Sequence, residues 1–253
     1  MKQIILITDG CSNVGVSPVV AAAQALTQGI SVNVIGVIDH GEIGELGAAE
    51  IEEIARAGGG MSRIVGTGQL SQTVQMVTRH TVAHTIQQAV NRQLQHILGE
   101  STIAALPPEQ RGQVVQAMDD LGETAALQVA LLVDASASMK PKLPAVEEAI
   151  RDLALSLQSR EGHSEIAVLH FPGPAGSGAE YQLDLPWTHE IHRIKHLFQK
   201  LNARGTTPTG PALLKAAEYI NQGESSRTVA EDRGAGKLLP GASKGGMLSD
   251  YIV

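Results

Sequence analysis

Short apolar runs alternate with helix-period patterns along most of the chain. In the first third, residues 4–7, 32–38 and a weaker run at 62–65 read as strands, with helical patterns between them. The first helix starts at Pro18, where a missing N–H costs nothing, with Ser17 placed to cap it and Gly29 after its end. The second covers residues 48–57 and stops at Gly58-Gly59-Gly60. Such a β-α-β-α-β order predicts a parallel sheet with helices on its faces.

A long helix is predicted over residues 71–98. Val74, Val77, Thr81, Val82, Ile86, Ala89, Val90, Leu94 and Ile97 recur at steps of three and four, a stripe with Gln, Arg and His outside it. Residues 99–124 read as a connector containing Pro107-Pro108 and a short helix over 109–121. The alternation then resumes: a buried strand at 127–133, a helix at 144–157, a strand at 165–171 and an edge strand at 181–185. Helices are expected at 189–201 and 211–221. From Gly223 to Val253 the periodicity disappears, which predicts a flexible tail. The expected organisation is one α/β domain over 1–222, with halves 1–98 and 125–222 joined by the connector 99–124.

Composition narrows the function. The chain has 253 residues, a formal charge of −7 and 2% aromatic residues. An acidic chain with six aromatics makes a poor nucleic-acid binder. A single cysteine, Cys11, excludes an internal disulfide and fits a reducing compartment. The apolar start of four residues is too short for a signal-peptide core, and no run approaches the roughly 20 residues of a membrane span. The expectation is a cytoplasmic protein, without membrane or nucleic-acid partners.

Three segments carry candidate chemistry. Asp134-Ala135-Ser136-Ala137-Ser138 directly follows the 127–133 strand, and in a parallel sheet ligands bind at the carboxyl ends of strands. Its carboxylate and two hydroxyls alternate, so all three can face one point. Oxygen-only donors of this kind suit a hard cation such as Mg²⁺ or Mn²⁺. The loop Gly205-Thr206-Thr207-Pro208-Thr209-Gly210 precedes a helix, and Thr8-Asp9-Gly10 puts a second carboxylate at the end of another strand. Two carboxylates and three hydroxyls can thus surround one divalent ion.

This set resembles the metal-ion-dependent adhesion site (MIDAS) of von Willebrand factor A-type (vWA) domains. The likeness covers residues 1–98 and 127–221 and extends to small vWA proteins of Bacillus-like spore formers. Carried over by motif, it implies metal ligation by Asp134, Ser136, Ser138, Thr207 and Asp9. Thr207 is preferred to Thr206 because the Thr-x-Thr-Gly spacing begins there. The resemblance implies direct binding by the Ser and Thr hydroxyls, aspartates acting mostly through water, and a sixth position left for a carboxylate of a protein partner. In the family, Asp-x-Ser-x-Ser comes first and Asp-Gly last, whereas here the Asp-Gly strand comes first. The chain therefore looks like a circularly permuted, vWA/Rossmann-like α/β domain, with a mostly parallel central sheet flanked by helices. A monomer is favoured; the alternative is a swapped dimer in which two half-domains complete each other.

The expected function is divalent-metal-dependent binding of a partner's Asp or Glu, without enzymatic activity. The competing expectations are a metal-dependent enzyme, such as a phosphohydrolase, and a metal-free scaffold. Phosphoryl transfer needs cationic groups near the phosphate, and the motif loops supply only Lys140 and Arg204. Other patterns are weaker. His80 and His84 lack the glutamate of a zinc helix, and His189, His192 and His196 fit a polar outer helix face. Gly234-Ala235-Gly236-Lys237 fails the phosphate-loop pattern, and no Gly-x-Ser-x-Gly occurs. Cys11 is expected near the metal site as a small buried thiol. The apolar-tinged end, residues 247–253, reads as a frayed terminus or a docking peptide, and its Asp250 could reach the sixth position.

Overall fold

In the computed structural model, residues 1–10, 12–38, 44–98, 103–174, 179–190, 194, 197–198 and 207–235 are described. Six strands, β1 (Lys2–Thr8), β2 (Ile30–Ile38), β3 (Gly59–Gly66), β4 (Leu127–Asp134), β5 (Ser164–Phe171) and β6 (Gln182–Thr188), form one sheet in the order β3-β2-β1-β4-β5-β6. All pairings are parallel except that of β6, which lies antiparallel on β5 at the edge. Among the described residues, five helices cover the faces, α1 (Pro18–Thr27), α2 (Glu45–Ala57), α3 (Leu70–Leu98), α5 (Leu143–Gln158) and α6 (Thr209–Ala235), while α4 (Pro108–Thr124) packs outside them on α3.

The four inner strands, β1, β2, β4 and β5, are near-continuous apolar runs because both faces of the sheet are covered there. Alternate residues divide between two cores. Ile5, Ile7, Leu131, Val133 and Val168 pack towards α3 and α5, with Val74, Val77 and Leu153. Ile4, Leu6, Ala130, Leu132 and Phe171 pack towards α1, α2 and α6, with Ala22, Ile51, Leu213 and Ile220. The winding direction reverses between β1 and β4, so the crevice at their carboxyl ends is the switch point where open α/β sheets hold ligands. The opposite end holds the terminus. Met1 donates from its ammonium to the Ala126 carbonyl at 2.6 Å, and Asn221 of α6 accepts from Lys2 at 3.1 Å.

Several expected boundaries shift for physical reasons. β3 starts at Gly59 rather than 62, with the glycine run forming its first residues. A Cβ on Gly60 would sit 2.2 Å from the Val32 carbonyl oxygen, so the close strand approach requires glycine there. Ser17 precedes α1, but its side chain makes no capping bond. The connector contains a full 17-residue helix, α4, packed against α3. The helix expected at 211–221 is longer as well: α6 continues through Gly223 to Ala235. One glycine in a helix costs only about 1 kcal/mol, and no proline follows until Pro240. Most of the helix expected at 189–201, residues 236–253 and Cys11 lie outside the described residues; Ile194 and Phe198 are buried in the α3/α5 core.

A buried polar cluster ties the first half together. The Asn33 carboxamide, fully buried on β2, donates to Gln3 Oε1 of β1 at 3.1 Å. Its oxygen accepts from the Met61 amide of β3 at 3.0 Å and from the Thr81 hydroxyl of α3 at 2.9 Å. One side chain thus holds three strands and the long helix in register. Asn33→Leu strands these buried groups without partners, and each costs about 1–3 kcal/mol. Denaturant unfolding of that variant is expected to lose at least about 2 kcal/mol, well beyond a surface substitution.

Candidate metal centre

Asp134 ends β4 and Asp9 follows β1, so pairing of these two strands places both carboxylates in the central crevice. After Asp134 the chain turns through Ser136 into a short 3-10 turn, Ala137–Met139. Thr207 lies just before the amino end of α6. Its loop is clamped to the segment after Asp9. The Thr207 amide donates to Asn13 Oδ1 at 2.8 Å, and its carbonyl accepts from the Asn13 amide and the Ser12 hydroxyl, each at 3.2 Å. Glu50 of α2 accepts from the Ser12 amide at 2.8 Å and holds that segment from behind. Gly210 lets the loop approach: a Cβ there would lie 1.9 Å from the Val16 carbonyl oxygen.

Four of the five expected residues form one hydrogen-bonded run. Asp134 accepts the Ser136 amide on one oxygen and the Thr8 hydroxyl on the other, both at 2.8 Å. Ser136 Oγ is 3.2 Å from Ser138 Oγ, and Ser138 donates to Asp9 Oδ1 at 2.9 Å. The other Asp9 oxygen meets the Lys142 ammonium at 2.5 Å. Asp134 is fully buried and Ser136 nearly so, while Ser138 faces solvent. The run therefore leads from the core to an open surface.

The oxygen spacing fits a hard dication. In an octahedral Mg²⁺ site with bonds of about 2.0–2.1 Å, neighbouring oxygens sit about 2.9 Å apart. The Ser136–Ser138–Asp9 steps of 3.2 and 2.9 Å match such edges. A serine hydroxyl that donates its proton keeps lone pairs free for a cation. Both Asp134 oxygens already accept protein hydrogen bonds, which suits charge balance better than direct ligation. Among the described residues no group of three or more His, Cys, Asp or Glu side chains is placed to hold a metal, so two carboxylates and hydroxyls are what this crevice offers. The rings of His80 and His84 stack 6.3 Å apart away from it.

Thr8, Ser12, Asn13, Glu50 and Lys142 were not singled out by sequence. Thr8 sits beside Asp9 in a strand-end triplet already in view, which was its available signal. Ser12, Asn13 and Glu50 act through backbone groups that no motif names. Lys142 lies eight residues past Asp134 and corrects the expectation that Lys140 and Arg204 are the nearby cations: Lys140 is exposed, and Arg204 lies outside the described residues. On the far edge, His170 Nδ1 lies 2.6 Å from Asp184 Oδ2, which fastens β6 to β5.

Burial pushes the Asp134 carboxyl above its ordinary value, and the Asp9 charge adds to this; the Ser136 and Thr8 hydrogen bonds oppose it. A raised folded-state value makes ionised Asp134 destabilising. Its contribution is most favourable below about pH 3.9, the unfolded value, and is lost as pH rises through the folded one. Asp134→Asn keeps the shape without the charge. In chelator, that variant is expected to melt above wild type at pH 7, with the gap closing towards pH 4, as followed by calorimetry.

No protein-family model matches the chain. An uncharacterized protein from Bacillus subtilis (strain 168), YabS, is 48% identical over 233 residues, covering 92% of this chain and 94% of that protein. The crystal structure of an uncharacterized protein from Alicyclobacillus acidocaldarius subsp. acidocaldarius DSM 446 aligns with a TM-score of 0.81 at 43% identity, over 90% of this chain and 96% of that one. Proximal thread matrix protein 1 from the mussel byssus, solved with a zinc-occupied MIDAS motif, reaches a TM-score of only 0.26 at 17% identity, over 81% of this chain and 43% of that one. With nearly half its residues shared along almost its full length, the chain belongs to the family of Bacillus subtilis YabS.

Proposed function

We propose that this protein is a divalent-metal-dependent protein-interaction module of the vWA type, circularly permuted, that captures an acidic residue of a partner. The observation that carries the reading is the pair of hydroxyls Ser136 Oγ and Ser138 Oγ, 3.2 Å apart at the sheet's switch point, with the Asp9 carboxylate 2.9 Å beyond Ser138. Ser136, Ser138 and Thr207 are the residues that would hold Mg²⁺ or Mn²⁺ by their hydroxyls, with Asp9 and Asp134 balancing its charge. A bound dication supplies an electrophilic point for a partner's carboxylate. The exposure of Ser138 leaves the approach open. The permutation rests on motif order: Asp-x-Ser-x-Ser follows β4 and Asp-Gly follows β1.

A phosphohydrolase at the same crevice is the second reading, and Lys142 is the one observation in its favour, since it adds a cation. Its ammonium is committed to Asp9, however, and none of the side chains in the hydrogen-bonded run is a histidine that could serve as base. No helix among the described residues is long and apolar enough to cross a membrane. A cytoplasmic setting agrees with the single cysteine and stays part of the proposal.

Anything that binds only the folded state raises its stability by mass action. Chelator-stripped protein at ion concentrations about 100 times Kd is expected to melt roughly 5–10 °C higher. Ser136→Ala and Ser138→Ala should abolish the rise while keeping the metal-free melting temperature within a few degrees. A rise that survives both substitutions would place the ion elsewhere. Turnover of a generic phosphate ester that disappears in Asp134→Ala would favour the enzyme reading instead.

A further inference from the structure

The Lys142 side chain has no counterpart in the motifs that suggested the site, yet it makes the closest contact there. It stands at the amino end of α5, and its backbone is held from both sides. Its amide donates to the Met139 carbonyl at 2.8 Å, and its carbonyl accepts from the Val146 amide at 3.1 Å. This anchoring directs the side chain into the crevice, where its ammonium meets Asp9 Oδ2 at 2.5 Å. The side chains of Lys142 and Asp9 are 11% and 5% exposed, so the pair is largely withdrawn from water. A charge at such a depth needs its partner. The two Asp9 oxygens are divided: one closes the serine run, the other is held by the lysine.

We propose that Lys142 is a built-in counter-cation that opposes metal loading of this site. The inference rests on the metal-site reading above and adds a control that the motif alone does not contain. Formally, Asp9 and Asp134 give the crevice two negative charges, and Lys142 removes one of them. A dication entering beside Asp9 meets an ammonium already fixed on the same carboxylate, and like charges at this range oppose each other. The loaded site then carries one net positive charge instead of none, which strengthens the attraction for an incoming carboxylate. Lys142 thus weakens metal binding in the empty state and couples it to capture of an anionic partner.

The test is Mn²⁺ binding to the full chain, followed by calorimetric titration and by the metal-induced melting shift, for wild type, Lys142→Met, Lys142→Gln and Lys142→Arg. Lys142→Gln can still donate to Asp9, so it covers the case in which the methionine variant does not fold. Removing the charge is expected to tighten Mn²⁺ binding roughly tenfold or more, since an adjacent like charge is lost. Lys142→Arg should keep the wild-type affinity. A purely structural role for Lys142 would lower the metal-free melting temperature and leave affinity unchanged. Equal or weaker binding by the neutral variants, with wild-type binding that is lost in Ser136→Ala, overturns the role of Lys142 and leaves the metal site standing. Absence of Mn²⁺ binding in wild type and neutral variants alike overturns both.

Discussion

The parallel pairing of β1 with β4 is the contact on which the rest of this protein depends. It joins the first residues of the chain to its middle, in register from Lys2 against Gln128 to Ile7 against Val133. At the carboxyl end of that seam, Thr8 donates to Asp134 across 126 positions of sequence. The candidate site draws on both sides of this seam: Asp9 comes from one, while Asp134, Ser136, Ser138 and Thr207 come from the other. The two apolar cores also meet across it, because Ile4 to Ile7 and Ala130 to Val133 alternate between the faces. Folding of the sheet and assembly of the crevice are therefore one event.

Strand order alone does not reveal how the halves came to be arranged. Read from the amino terminus, the sheet is 3-2-1-4-5-6, the doubly wound order. Exchanging the two halves renumbers it as 6-5-4-1-2-3, which is the same order seen from the other edge. An open sheet with a central switch point is thus indifferent to that exchange, as its crevice stays between the same two strands. Two features do distinguish the halves: the antiparallel edge strand β6 belongs to the second, and the strand ends differ, with Asp-x-Ser-x-Ser after β4 and Asp-Gly after β1. Met1 and Asn221 both sit at the amino ends of the strands, away from the crevice.

The elements that were legible in sequence are those whose burial is periodic. Val74, Val77, Val82 and Ile86 announce α3 because one stripe of that helix is covered, and the β4 run announces a strand buried on both faces. The end of α6 was not legible, because after Ile220 nothing periodic is required of a helix that has little apolar surface to bury. The cluster in the crevice was legible as far as motifs name side chains, and Asp134, Ser136, Ser138 and Asp9 do come together there. Ser12, Asn13 and Glu50 escaped because they work through backbone hydrogen bonds set by tertiary contact. Lys142 escaped for another reason: a lysine near a helix start is ordinarily solvated, and only the position of β1 beside β4 turns it towards Asp9.

The crevice thus combines two hydroxyls and two carboxylates, proposed to hold a hard cation, with a lysine that occupies part of their charge. An ion is proposed to sit there, and anomalous diffraction locates an ion directly. A crystal of the protein soaked in Mn²⁺ is predicted to give one strong anomalous peak within about 2.0–2.3 Å of the Ser136, Ser138 and Thr207 hydroxyl oxygens, with the Lys142 ammonium displaced from Asp9. An ordered crevice without a peak, or a peak only at a distant group of side chains, would contradict the account.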